Sequence, residues 1–211
     1  MLTVALVSGA CSRDPETEAR EYMASGAAYA EAKRYEAAVI EYRNAVKVQP
    51  ELAKAHYQLA KLYETTGDQV NAYASYARAA DLEPGNLDAQ LKAGALLLTA
   101  GEYDMARRRA ELAVQADPKN PSALILLGNA LAGLNETSRA IKQMEQAIAL
   151  DPSYSPAWSA LGAAQFVGGQ PQVSPWVVAR RDAAAAAAKR RANGAQSHQS
   201  TMARPRKSDH A

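Results

Sequence analysis

Apolar residues along this 211-residue chain recur with two periods. Over short stretches they fall three and four apart, the spacing of one face of an α-helix. Over longer stretches the whole pattern returns every 34 residues, and four prolines mark the return: Pro50, Pro84, Pro118 and Pro152. Each closes a similar phrase: VKVQP, ADLEP, VQADP, IALDP. With each proline at position 32, the units are 19–52, 53–86, 87–120 and 121–154, and a partial fifth runs over 155–169.

Within this frame the side chains are graded by size. Position 8 is small (Gly26, Ala60, Gly94, Gly128) and position 11 is large (Tyr29, Tyr63, Leu97, Leu131). Position 20 is always alanine (Ala38, Ala72, Ala106, Ala140), as is position 27 (Ala45, Ala79, Ala113, Ala147). Position 24 holds Tyr42, Tyr76, Ala110 and Met144. The pattern predicts two helices per unit. Small residues at 8 and 20 let the pair approach closely, and position 11 fills the space beside them. Alanine at 27 permits the same approach to the first helix of the next unit. Proline at 32 ends the second helix because it has no N–H to donate. Gly67 and Gly101, at position 15, suit a left-handed turn between the helices.

A helix–turn–helix period of this length, with Trp158, Leu161 and Gly162 opening the fifth unit, resembles the tetratricopeptide repeat over residues 19–167. The resemblance implies an all-α fold, a right-handed superhelical solenoid of helix pairs. It also implies a concave groove lined by positions 2, 5, 6, 9 and 12 of each first helix. The first unit would contribute Arg20, Met23, Ala24, Ala27 and Ala30. Candidate peptide contacts are then Lys54, Tyr57, Gln58 and Lys61 in the second unit, Leu91, Lys92 and Leu98 in the third, and Ile125 and Asn129 in the fourth. For Leu91 and Ile125, packing between neighbouring units is an equal alternative. Such a groove suits a protein or peptide segment with apolar anchors. Members that bind chaperones grip a C-terminal carboxylate with Lys and Asn. The corresponding positions here hold Met23, Ala27 and Gln58, and only Lys92 fits, so the resemblance does not extend to that subclass.

Composition narrows the chemistry. Alanine supplies nearly half of the 48% hydrophobic content, and aromatics are only 6%. A single cysteine excludes a disulfide framework within the chain. The histidines are His56, His198 and His210, too dispersed for a shared metal site, and His56 stands at packing position 4. No phosphate loop, nucleophile elbow, zinc-protease motif or dinucleotide fingerprint occurs. No catalysis, cofactor, metal or small-molecule substrate is expected. The net charge of +2 is unevenly spread: residues 180–211 hold eight Lys/Arg against two acids, so the repeats are mildly acidic. Nucleic acid is therefore not the expected partner of the repeats.

Residues 1–18 read as a signal-like segment and linker. The run MLTVALVSGA is too short to span a membrane and looks like the end of a secretory signal. Cys11 after Gly9–Ala10 resembles a bacterial lipobox, although Ser8 stands where leucine is usual. That resemblance implies lipid on Cys11 and a membrane anchor. Ser12 resembles the class sorted to the outer membrane. The absence of Lys or Arg before the apolar run implies that translation starts further upstream.

The repeat register is lost after Gly169. In the Ala/Arg-rich tail, 170–211, a short basic helix is expected over 176–191, followed by disorder. Three readings stand: a helix capping the solenoid, a basic arm for nucleic acid or acidic lipid, or out-of-frame sequence replacing further repeats. The phrases AAVIEYRNAVKVQP, LDAQLKAGALLLTAGEYDMARRRAE and SALILLGNALAGLN resemble the long repeat lipoproteins of the PEP-CTERM/exosortase system. That resemblance implies a non-enzymatic scaffold facing the periplasm, linked to exopolysaccharide production and protein export. The alternative is a soluble cytosolic adaptor whose basic tail binds nucleic acid.

Overall fold

The computed structural model describes residues 14–167; Cys11, the 170–211 tail and its expected helix at 176–191 lie outside the described residues. Among the described residues there are nine helices and no strands. They are α1 (Pro15–Glu31), α2 (Tyr35–Val48), α3 (Ala53–Thr66), α4 (Gln69–Leu82), α5 (Leu87–Thr99), α6 (Tyr103–Ala116), α7 (Pro121–Gly133), α8 (Thr137–Leu150) and α9 (Ser155–Val167). They fall into two compact units, one ending at Pro118 with α1–α6, the other starting at Lys119 with α7–α9.

The proline period acts through the residue before it. A proline disfavours the α conformation in its predecessor. Gln49, Glu83, Asp117 and Asp151 all leave helical geometry, with ψ between 80° and 94°. Each still donates its N–H to the carbonyl of the alanine at position 27. The second helices therefore stop at equivalent places.

The turn inside each helix pair is equally uniform. Position 15 has positive φ in all four units: Lys33 (57°), Gly67 (81°), Gly101 (77°) and Asn135 (62°). The next residue donates its N–H back to the position-11 carbonyl: Arg34 to Tyr29, Asp68 to Tyr63, Glu102 to Leu97 and Glu136 to Leu131, at 2.8–2.9 Å. This is the six-to-one bond of a left-handed helix cap. Glycine reveals the turn at two positions in the sequence; lysine hides it at a third. Lys33→Gly is expected to stabilise the protein by roughly 1 kcal/mol, because a Cβ at left-handed φ is strained. Asn135→Gly should gain less, since asparagine tolerates this conformation. Urea melts of both variants check the ordering, and no gain at Lys33 would contradict the left-handed turn there.

One expected boundary needs correction. Residues 15–18 belong to α1, not to the linker expected over 1–18. Asp14 caps α1 by accepting the Thr17 N–H at 3.1 Å, Pro15 opens it, and Glu16 and Glu18 favour its positive end. Because these signals precede the repeat register, aligning the repeats overlooked them.

Position 20 and position 27 alanines are fully buried in every complete repeat. At position 8 the space is measured directly. A Cβ built on Gly26 would lie 2.7 Å from the Tyr42 ring, and one on Gly128 would lie 3.0 Å from Met144 Cγ. In the first and fourth repeats the glycine at 8 thus admits the large residue at 24. Between successive hairpins of the first unit, Ala79 and Ala80 of α4 close against Ala89 of α5, with Tyr57 packed on them. In α9 Leu161 is buried, whereas Phe166 is 85% exposed.

Candidate functional site

At position 4, polar side chains bond to backbone carbonyls. His56 Nε2 lies 3.0 Å from the Pro50 carbonyl oxygen, so this nitrogen holds the proton and donates. Trp158 Nε1 donates to Pro152 O at 3.0 Å, and Gln90 Nε2 donates to Ala80 O at 3.3 Å. Unlike side chains thus do one job: each donates to a carbonyl in or just beyond the last turn of the preceding helix.

The groove positions converge in the first unit. A cleft of about 790 Å³ opens between α1 and α3. Its α1 wall is Arg20, Met23, Ala24, Ala27 and Ala30; its α3 wall is Lys54, Gln58 and Lys61. These are positions 2, 5, 6, 9 and 12 of the first repeat and 2, 6 and 9 of the second. Further wall residues are Tyr42, Gln49, Leu52, Glu16 and Glu31, none of which lies at those positions. Tyr42 had a visible signal: a large residue at 24 facing glycine at 8 reaches past the first helix.

One repeat further along, the same face is closed by side chains. Tyr57 donates its hydroxyl to Asp88 Oδ2 at 2.5 Å, tying α3 to α5. Glu64 accepts from Lys92 Nζ at 2.8 Å and from Tyr76 Oη at 2.7 Å. The rings of Tyr57 and Tyr76 meet edge to face at 5.7 Å. Burial pushes the Tyr57 phenol up to about 12, helped by its bond to Asp88. Burial also raises Tyr76, and the adjacent Glu64 carboxylate raises it further. Burial alone would raise Glu64, but the Lys92 and Tyr76 hydrogen bonds and the Lys92 and Lys61 charges outweigh it and hold the carboxyl below its usual range. Lys92 is therefore already engaged, and the one basic residue matching a clamp position is held by its own chain.

The remaining candidates divide. Lys54, Gln58 and Lys61 share the cleft; Tyr57 and Lys92 belong to the α3–α5 network. Leu91 and Leu98 are half-buried on α5. Ile125, for which a groove position and a packing position were equal expectations, is 7% exposed and is a core residue. The continuous apolar run from Ala123 to Leu127 leaves α7 no polar face there, so it is buried on all sides. Asn129, on the same helix, is half-buried. Among the described residues no three His, Cys, Asp or Glu side chains gather to hold a metal ion, and no helix is long and apolar enough to cross a membrane.

The fold and site define an all-α protein of repeated helix hairpins with an open cleft on the face of its first helices. Models of the tetratricopeptide-repeat family match residues 26–67, 53–86 and 97–164. The chain is a tetratricopeptide-repeat protein. No curated protein matches it in sequence. Among solved structures it is similar to a crystal structure of MamA protein, with a TM-score of 0.70 at 19% identity over 79% of this chain and 91% of that one. It is also similar to MamA (41-end) from Desulfovibrio magneticus RS-1, with 0.65 at 23% identity over 73% and 87%. A third is YrrB, described as a TPR protein with an unusual peptide-binding site, with 0.68 at 17% identity over 79% and 86%. At these identities the likeness is one of fold.

Proposed function

We propose that this protein is a non-enzymatic scaffold that holds a segment of a partner protein in the cleft between α1 and α3. The observation that carries this reading is the cleft: it is open, floored by alanine methyls, and edged by polar side chains available to a ligand. Its volume lies within the range of ligand sites of roughly 300–1,000 Å³. The peptide-binding site for which YrrB is described supports the same kind of use. A photo-crosslinking residue at Gln58, in the cleft, is expected to trap a partner in the protein's own cells. The same residue at Arg78, exposed on α4, should not. Equal trapping at both positions, or none at Gln58, overturns the reading.

The scaffold is further proposed to face the periplasm, held by lipid on Cys11, as part of a PEP-CTERM-type export or exopolysaccharide system. The apolar run before Cys11, the small residues preceding it and the absence of any other cysteine support this placement. Palmitate labelling that disappears in Cys11→Ser is the expected result. Unlabelled protein in the cytosol would overturn it and favour an adaptor whose basic tail, residues 180–211, binds nucleic acid in a salt-sensitive way.

A further inference from the structure

Resting on the scaffold reading, we infer that the α1–α3 cleft takes an acidic peptide segment with small apolar side chains. The charges on its walls carry the argument. Lys54 and Lys61 lie on one face of α3, seven residues and hence about 10 Å apart along the helix. Neither forms an ion pair among the described residues. Lys61 lies 5.9 Å from the Tyr57 ring centre, and its charge reaches Glu64 only at longer range. Arg20 stands at the place on α1 that Lys54 occupies on α3, so three cations line the cleft.

The acids do not cancel them. Glu31 lies at the far end of α1 from Arg20, with Ala24, Ala27 and Ala30 between. Glu16 meets Arg20 at 3.9 Å with both side chains about 70% exposed, a contact that a ligand carboxylate can displace at little cost. The contrast with the neighbouring repeat is instructive. Lys92 is neutralised there by Glu64 from α3, whereas no described acid reaches Lys54 or Lys61 from α1. The alanine floor sets the second requirement. Side chains of that size let a peptide backbone approach α1, and the acidic groups can then reach the lysines.

The test uses the purified full chain and two fluorescein-labelled peptides of equal length, built of alanine and glycine. One carries three glutamates, the other three lysines. Fluorescence anisotropy should show the glutamate peptide binding, weakening as salt rises. Lys54→Glu/Lys61→Glu should weaken it at least about tenfold while helicity by circular dichroism is kept. Ala27→Phe, which fills the floor without changing charge, should weaken it as well. Equal binding of the lysine peptide, or unchanged glutamate binding in the charge-reversed protein, overturns the inference. Should the crosslinker at Gln58 trap a partner while the charge reversal leaves that trapping intact, the acidic ligand is wrong and the scaffold stands. Absence of trapping at Gln58 removes the scaffold reading itself.

Discussion

Tyr76→Ala is expected to lower the stability of the protein by about 3–5 kcal/mol, the range for removing a buried aromatic ring. Tyr76 is fully buried and is the largest such side chain among the described residues. Its ring packs with Ala60 and Ala93, so it joins the second repeat to the third. Truncation leaves a cavity between flanking alanines that cannot collapse into it. It also removes the edge-to-face contact with Tyr57 and one of the two donors to Glu64. Tyr76→Phe separates these effects. It keeps the ring and loses the hydroxyl, and should cost about 1 kcal/mol.

The same pair of variants carries a pH dependence. Glu64 is held below its usual range, so its contribution is present at neutral pH and is lost as pH falls through the lowered value. Tyr57 and Tyr76 are raised above the ordinary phenol value of 10.0, so theirs is complete below that pH and is lost as pH climbs past it. Phenolate absorbance during alkaline titration should show late-ionising tyrosines. Tyr76→Phe should remove one of these late-ionising phenols; loss of a phenol that titrates near the ordinary value of 10.0 instead would mean that Tyr76 is neither buried nor bonded to Glu64.

Ala72→Leu is expected to destabilise the protein by roughly 1–3 kcal/mol through overpacking. Ala72 is fully buried in a cluster with Leu59, Leu62 and Tyr63 of α3 and with Ala38 and Tyr42 of α2. A leucine there must push α4 from α3 or force those side chains from their rotamers. Ala74→Leu is the control on the same helix. Position 74 is exposed, and the change should stay within about 0.5 kcal/mol. Guanidinium melts of both variants decide it, and similar stabilities would mean that position 20 does not lie at the helix contact.

Much of the architecture was legible because close packing constrains size at fixed places. The buried alanines at 20 and 27 and the small residues at 8 recur where two helices must touch, and the residue before each proline cannot remain helical. Lys33 was not legible as a left-handed residue, since nothing in its side chain signals positive φ. The start of α1 at Pro15 lay outside the repeat register. Ile125 was left open between groove and packing, because the two kinds of position look alike when a helix is apolar all round.

The candidate site divides along the same line. By itself the sequence determined the helix-pair unit, its period and the positions that face inward, because these follow from backbone preference and from contacts repeated in every unit. Only the tertiary structure decided which inward-facing groups are free. Lys92 and Tyr57 find partners 28 and 31 residues away, Glu64 and Asp88, on the neighbouring repeat. Lys54 and Lys61 occupy equivalent kinds of position and form no ion pair among the described residues. Pairing of that kind depends on one side chain in the adjacent unit and its reach, and no periodicity records it.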